Sequence, residues 1–281
     1  RLYREDSNGL DIDEMVYAVD SSTIDLCLSM FPWANFRKKK AAIKLHTQID
    51  LTGSIPVFMQ ITDGLVHDVH FMDQMLIEAG SVYVFDRGYV DFARLFRIES
   101  ANAYFVIRSK KNTRFYVSKS RPVDKSCGLR CDQVIRLSTK KAKRDYPSKL
   151  RRISFFDTNT GKRLVFLTNH FDLPALTVAT IYKRRWQIEL FFKWIKQNLR
   201  IKAFFGASEN AVRTQIWIAF CVYLLVAGLK KVHGFDESMS RILQILSVNV
   251  FQKVSLDQLL GDFTSERGES EFCKQLNFND L

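Results

Sequence analysis

The sequence predicts an α/β fold: a mixed sheet flanked by helices, with a β-rich insertion ahead of the last core helices and a helical C-terminal part. Three observations carry this prediction. Short apolar runs with strand character alternate with helical periodicity through the first 111 residues. A basic stretch with strand patterning follows, and from Leu173 onward the chain reads as helix. With 281 residues, 47% of them hydrophobic and 23 of them Phe, the chain has material for a large packed core and is not of a disordered type.

Taken in order, Met15 to Asp20 is an apolar run ending in Asp and is expected to be a strand. Ala41 to Leu51 and Ile55 to Thr62 alternate as strands do, and Thr52, Gly53 and Ser54 join them as a hairpin turn would. Val69 to Ala79 reads as a helix stopped by Gly80. Ser81 to Phe85 is then a buried strand delivering Asp86, followed by a helix from about Asp91 to Ser100 and a strand at Tyr104 to Ile107. Strand, hairpin, helix, strand, helix, strand is the order of a ribonuclease H-like core. Candidate strands at 115–117, 134–137, 150–156 and 163–167 make up the insertion, because a stretch this long between core elements is seldom a structureless loop. The expected organisation is a first core part at 1–111, the basic insertion at 112–168, a second core part at 169–232 and a C-terminal helical region at 233–281.

The net charge of +12 is concentrated. Between Arg108 and Arg152 there are 16 Lys and Arg against three Asp, so the rest of the chain is close to neutral. An even-handed core carrying one intensely basic segment is an electrostatic footprint for nucleic acid, the bland reading being a solubilising surface. Five cysteines at 27, 127, 131, 221 and 273 form no zinc pattern and read as reduced thiols. HDVH at His67 to His70 lacks partners at metal-ligand spacing. The apolar run from Ile216 to Leu229 is shorter than the roughly 20 residues of a membrane span. A buried core helix in a soluble chain is therefore expected, and no signal peptide is visible. The opening RLYRED looks like the tail of a preceding helix, as in a fragment of a longer protein.

The stretch from Tyr182 to Arg200 reads as one long helix with two faces. At about 100° per residue, Ile181, Ile188, Phe192, Ile195 and Leu199 line an apolar stripe. Tyr182, Arg185, Glu189, Lys193 and Lys196 line another, with one carboxylate set among cations and a phenol. A solvated face would also mix Glu with Lys, but this grouping suits a site that holds a metal and a phosphate together.

The spacing of Tyr182, Arg185, Glu189 and Lys196 resembles the Y-x2-R-x3-E-x6-K signature of the DDE transposases of the insertion sequence 4 family. AVDSSTID, with Asp20, and VYVFDRGYVD, with Asp86, fit the same family, and the resemblance covers nearly the whole chain from about Val16. It implies that Asp20, Asp86 and Glu189 are the catalytic triad and bind two Mg²⁺ ions, with Mn²⁺ able to substitute. Read singly, each Asp is as well explained as a turn or cap residue. By the same resemblance Tyr182, Arg185 and Lys196 grip phosphate. Lys193 shares their stripe, and Arg87 and Tyr89 beside Asp86 are further candidates for DNA contact. Lys44 and His46 share a strand face and could support the metals or simply lie on an exposed edge. FRKKK at Phe36 to Lys40 suits a backbone phosphate or a solvated turn.

The implied function is cleavage of DNA at transposon ends and strand transfer into target DNA. The implied partners are those DNAs and a second copy of the chain once DNA is bound, with no membrane. The implied location is the bacterial cytoplasm, in association with the nucleoid. Family members that form hairpin ends flip a base onto an aromatic residue, sometimes a Trp of the insertion. Here Trp occurs only at 33, 186, 194 and 217, so Phe115, Tyr116, Tyr146, Phe155 and Phe156 are the aromatics available. A ribonuclease H-like nuclease that never joins ends, or a non-catalytic DNA-binding fragment that inhibits the full-length enzyme, remain the alternatives.

Overall fold

The structure, a computed structural model, describes residues 12–37, 40–199, 201, 203–255 and 258–259. RLYRED, the middle of FRKKK and Arg200 lie outside the described residues. Two compact units divide between Cys221 and Val222.

The first unit is built on one mixed sheet. Its strands are β1 (Val16–Leu26), β2 (Asn35–Arg37), β3 (Lys40–Asp50), β4 (Ile55–Asp63), β5 (Val82–Phe85), β6 (Tyr104–Arg108), β7 (Phe115–Arg121), β8 (Leu129–Leu137), β9 (Leu150–Asp157) and β10 (Lys162–Thr168). They are ordered β2-β3-β1-β5-β6-β10-β9-β8-β7, with β4 also on β3. β1, β5 and β6 run parallel, and the other pairings are antiparallel. The strands of residues 112–168 therefore continue the core sheet through β10. β1 runs six residues past Asp20, because Ser21 to Leu26 keep pairing with His46 to Ala41. Asp20 thus lies inside a long strand and not at its end, a correction to the expected boundary.

Period-two alternation divides the two faces. Tyr17, Val19, Tyr83, Phe85, Phe105 and Ile107 face one way, onto the helix α1 (Phe92–Ser100). Ile98 and Leu95 of α1, with Tyr146, complete that layer, and each such side chain contributes on the order of 1.5–3 kcal/mol by burial. Asp91 starts α1 by accepting from the Arg94 amide. Residues 74–79 are not helical as the periodicity predicts: only a 3₁₀ turn, Asp68–Asp73, forms. The Tyr83 hydroxyl explains this, because it accepts from the Glu78 amide at 2.8 Å and donates to the Leu76 carbonyl, so tertiary partners replace helical bonds. Gly80, at φ +79°, closes the segment in the left-handed region.

Val16, Ala18, Val82 and Val84, on the opposite face, are covered by α3 (Ala175–Arg184) and α4 (Trp186–Asn198). The single helix expected over 182–200 is two helices, joined at Arg185. There the Arg185 amide bonds back to the Tyr182 carbonyl and Ile188 to Arg185, a three-residue pattern that tightens the joint. The predicted apolar stripe is buried at Ile181, Ile188, Phe192 and Ile195, with Phe191 added.

Helix α2 (Lys140–Asp145) is short and carries exposed Lys140, Lys141, Lys143 and Arg144. Helix α5 spans Glu209–His233, 25 residues, and by length and composition alone could cross a bilayer, which corrects the expectation of a run too short to do so. Val212, Ile216, Ala219 and Phe220 are buried, Phe220 edge-on to Phe191 at 5.5 Å. In the second unit Val226, Ile242 and Ile245 form a small core between the end of α5 and α6 (Met239–Asn249), which Ser238 caps.

Within β3, His46 is fully buried, stacked on Phe71 at 5.4 Å and joined through Nε2 to Thr62 Oγ1 at 2.8 Å. Burial drives its pKa from 6.5 down to about 4, with Lys44 adding to the drop and Asp68 opposing it. Because the unfolded chain binds a proton more readily, this group costs stability as pH falls from about 6.5 to about 4, by up to about 3 kcal/mol. Asp20 titrates over nearly the same interval with the opposite sign, so the effect is to be read in an Asp20→Asn background. There, His46→Gln should flatten the acid limb of stability against pH in urea melts; an unchanged limb would assign it to other groups.

Candidate active site

The parallel register ends by pairing Val19 with Phe85, so Asp20 on β1 and Asp86, the first residue after β5, follow side by side, close enough for Asp86 to act on the Asp20 charge. Both fall on the alternation that faces α3 and α4. Asp86 also does what the bland reading expects: its Oδ1 accepts from the Gly88 amide at 2.6 Å and caps a 3₁₀ turn, Arg87–Tyr89. A Cβ at residue 88 would come within 2.8 Å of that oxygen, so glycine there leaves the carboxylate its place. Capping and site membership are compatible, because a carboxylate has two oxygens and several lone pairs.

Glu189 arrives from the first turn of α4. It meets Asp20 through Arg185, whose Nη1 donates to Asp20 Oδ2 at 2.6 Å and whose Nη2 donates to Glu189 Oε1 at 2.5 Å. The Ser21 amide takes Asp20 Oδ1 at 2.8 Å. Burial pushes the Asp20 carboxyl up to about 6. Arg185 and the Ser21 amide pull it back, while Asp86 and Glu189 push it further. Burial works against the Arg185 charge as well, yet Asp20, Tyr182 and Glu189 outweigh it and hold the guanidinium pKa above its ordinary value. Asp20, Asp86 and Glu189 thus come from three elements, and Asp20 is destabilised as an anion by burial and by the other two; carboxylate oxygen is the donor type that hard divalent ions take. Among the described residues no three acidic, His or Cys side chains stand together as an ion-holding group. Arg185 lies between two of the three.

The structure distributes the remaining predicted residues unevenly. Lys196 reaches back to β1, donating to the Thr23 carbonyl at 2.9 Å. Lys193 and Arg87 are exposed. Tyr182 is mostly buried with its ring 4.7 Å from Phe166, and the Arg185 guanidinium lies 5.8 Å from the Tyr182 ring centre. Tyr89 does not reach the surface as expected: its ring is 1% exposed, packed 5.6 Å from Phe85. Its hydroxyl is buried, with the Ser21 side chain as its polar neighbour. Burial and the nearby charges of Asp20, Asp68 and Asp86 raise the phenol's pKa well above normal. Of the five insertion aromatics, Tyr116 is the most open at 64%, while Tyr146 and Phe155 are buried.

Sequence reasoning missed Asp68. It lies in the HDVH stretch and takes Lys44 Nζ at 3.0 Å, with the Ser21 hydroxyl close by. Burial opposes its ionisation, but Ser21 and Lys44 hold its pKa below the usual range. No spacing in the sequence signals it, because the network forms only once Ser21 pairs with His46 across β1 and β3, on the face opposite Asp20. It also missed Lys183, paired with Asp157 at 2.8 Å. A cleft of about 740 Å³, lined by Asp73, Arg94, Arg97, Lys141 and Arg144 among others, includes none of the triad.

The family profile described as "Transposase DDE domain" matches residues 11–225. The chain is 34% identical over 228 residues to a protein of Geobacillus stearothermophilus named "Probable transposase for insertion sequence element IS5377", covering 80% of this chain and 59% of that protein. It is 35% identical over 243 residues to y4zB of Sinorhizobium fredii, also named as a transposase, covering 85% and 67%. The chain thus spans about three fifths to two thirds of the length of these relatives. A solved structure, the piggyBac transposase synaptic complex with hairpin DNA, superposes with a TM-score of 0.51 at 11% identity, over 92% of this chain and 55% of that one. That likeness carries the fold, a ribonuclease H-like mixed sheet flanked by helices. With three quarters of its length matched by the profile and two relatives above 30% identity, the chain belongs to the DDE transposase family, of the insertion sequence 4 type.

Proposed function

We propose that this chain is the catalytic domain of a transposase that cuts DNA at the ends of a mobile element and joins them to target DNA. The observation that carries this reading is the β1–β5 register, which sets Asp20 beside Asp86 while Arg185 brings Glu189 to Asp20. Asp20, Asp86 and Glu189 would hold two Mg²⁺ ions, replaceable by Mn²⁺. When bound, these ions supply an activated water or sugar hydroxyl and relieve charge on the leaving oxygen.

The chain's own residues position the DNA. Arg185, Lys193 and Lys196, with Tyr182 beneath, grip phosphates around the scissile bond, and exposed Arg87 adds a contact beside Asp86. In the first step a water oxygen bonds to phosphorus and the bond to the 3′ oxygen breaks, leaving a 3′-hydroxyl and a 5′-phosphate. In the second that hydroxyl loses its proton, its oxygen bonds to a target phosphorus, and the target's own 3′ oxygen leaves with a proton.

The basic segment at 112–168 supplies backbone contacts, between core parts at 1–111 and 169–232 and ahead of the helical region at 233–281. A homodimer assembled on DNA, in the bacterial cytoplasm at the nucleoid, completes the reading.

The test is a strand-transfer assay with pre-cut ends and Mg²⁺. Joined products are expected. Nicking without joining would make the protein a nuclease, and binding with neither would make it a DNA-binding inhibitor fragment. DNA affinity should fall roughly 10³–10⁵-fold between about 50 and 200 mM salt if some six to ten phosphates are neutralised. A flat salt response would remove the basic segment from the interface.

A further inference from the structure

We infer that Arg185 is an internal counter-cation, bridging Asp20 and Glu189 in the position a divalent ion would claim, and that binding of metal and DNA moves it from those carboxylates to a phosphate. The inference rests on the metal-binding reading of the triad. Its basis is the geometry of the guanidinium. Two of its nitrogens each donate to a different carboxylate, at 2.6 and 2.5 Å. Each Asp20 oxygen already accepts one hydrogen bond, Oδ1 from the Ser21 amide and Oδ2 from Arg185. An ion drawing on Asp20 and Glu189 therefore meets a fixed positive charge already bonded to both, and the two compete for the same oxygens.

The bridge is also incomplete. Arg185 Nε is buried without a hydrogen-bond partner among the described residues, so the fork leaves one donor unsatisfied. A phosphate offers the guanidinium a bidentate acceptor in exchange. The residue sits at the joint of α3 and α4, where bonding is of the three-residue kind, and its guanidinium lies 5.8 Å from the centre of the Tyr182 ring. A small change in its side-chain torsions therefore need not break a helix.

Linkage gives this a measurable signature: whatever withdraws Arg185 from the carboxylates must raise metal affinity, and metal must raise DNA affinity by the same factor. The experiment is Mn²⁺ binding followed by electron paramagnetic resonance on chelator-treated protein, with and without a duplex. The proteins are the natural chain, Arg185→Gln and Arg185→Lys, each also carrying Asp20→Asn, and thermal melts check folding. Without DNA, Arg185→Gln should bind Mn²⁺ at least about fivefold tighter than the natural chain. Arg185→Lys, a point charge that cannot span both carboxylates as a fork, should fall between, and it carries the test if the Gln variant does not fold. Duplex should tighten Mn²⁺ binding more strongly in the natural chain than in the Gln variant, whose remaining gain is the phosphate's own contribution to the ion's shell.

Equal or weaker Mn²⁺ binding by both variants, with binding still lost on Asp20→Asn, would overturn the exchange and leave the metal reading intact. Mn²⁺ binding indifferent to Asp20→Asn in every background would overturn both.

Discussion

Replacing Arg151 with leucine is expected to destabilise the protein by about 3–5 kcal/mol, the usual cost of stranding one partner of a buried ion pair. Arg151 is 2% exposed and forks onto Asp132, Nε to Oδ1 at 2.9 Å and Nη2 to Oδ2 at 2.7 Å. Its remaining nitrogen donates to the carbonyls of Leu173 at 2.5 Å and His170 at 3.2 Å. One guanidinium therefore ties β8 and β9 to the segment that starts α3. Without it a carboxylate and two carbonyls are left in a space with little water, and each is costly unpaired. Removing both charges, as in Arg151→Leu with Asp132→Leu, should recover much of the loss, since the stranded charge is gone. Urea melts of the two variants check this. A single variant within 1 kcal/mol of the natural protein would show that Asp132 finds another partner.

The second large effect concerns the triad. Asp86→Asn and Glu189→Gln keep the shape of the side chain and remove its charge. Each should lower DNA cutting by more than the roughly 10–100-fold that loss of a mere outer-shell partner costs. Stability should move the other way. Asp20, with its pKa raised to about 6, is ionised at neutral pH against its surroundings, so folding gains as pH falls from about 6 toward 3.8. Asp20→Asn should therefore raise stability at pH 7 by on the order of 1–3 kcal/mol while cutting is lost. Lost activity with lowered stability would reassign Asp20 to a structural role. Retained activity would remove it from the chemistry.

Much of the fold was legible because local pattern and tertiary position agree. VYAV and VYVF are continuous apolar runs, as strands buried on both faces must be, and each leads directly into an Asp. Patterns failed where a distant group intervened. Tyr83 supplies the backbone bonds of residues 76 and 78, so a stretch with helical periodicity stays open. The strand carrying Asp20 continues through SSTID because β3 pairs with it, although Ser-Ser looks like a turn. Within the candidate site, residue types could be read but not partners. Nothing in the spacing of the signature shows that Arg185 turns to Asp20, 165 residues away, as well as to its own helix neighbour Glu189. Tyr89 was misplaced because aromatic residues beside acidic ones occur in cores and at surfaces alike.

The unbroken run of strands from β1 to β7 has a mechanical consequence. Six strand steps separate β1, with Asp20, from edge strand β7, with exposed Tyr116 and Lys119. At about 4.8 Å each this makes a stiff span of up to roughly 29 Å, or some eight base pairs at about 3.4 Å per pair. Under the proposed function, a duplex that met both Asp20 and the β7 edge would have its two contacts held at that separation by the sheet itself.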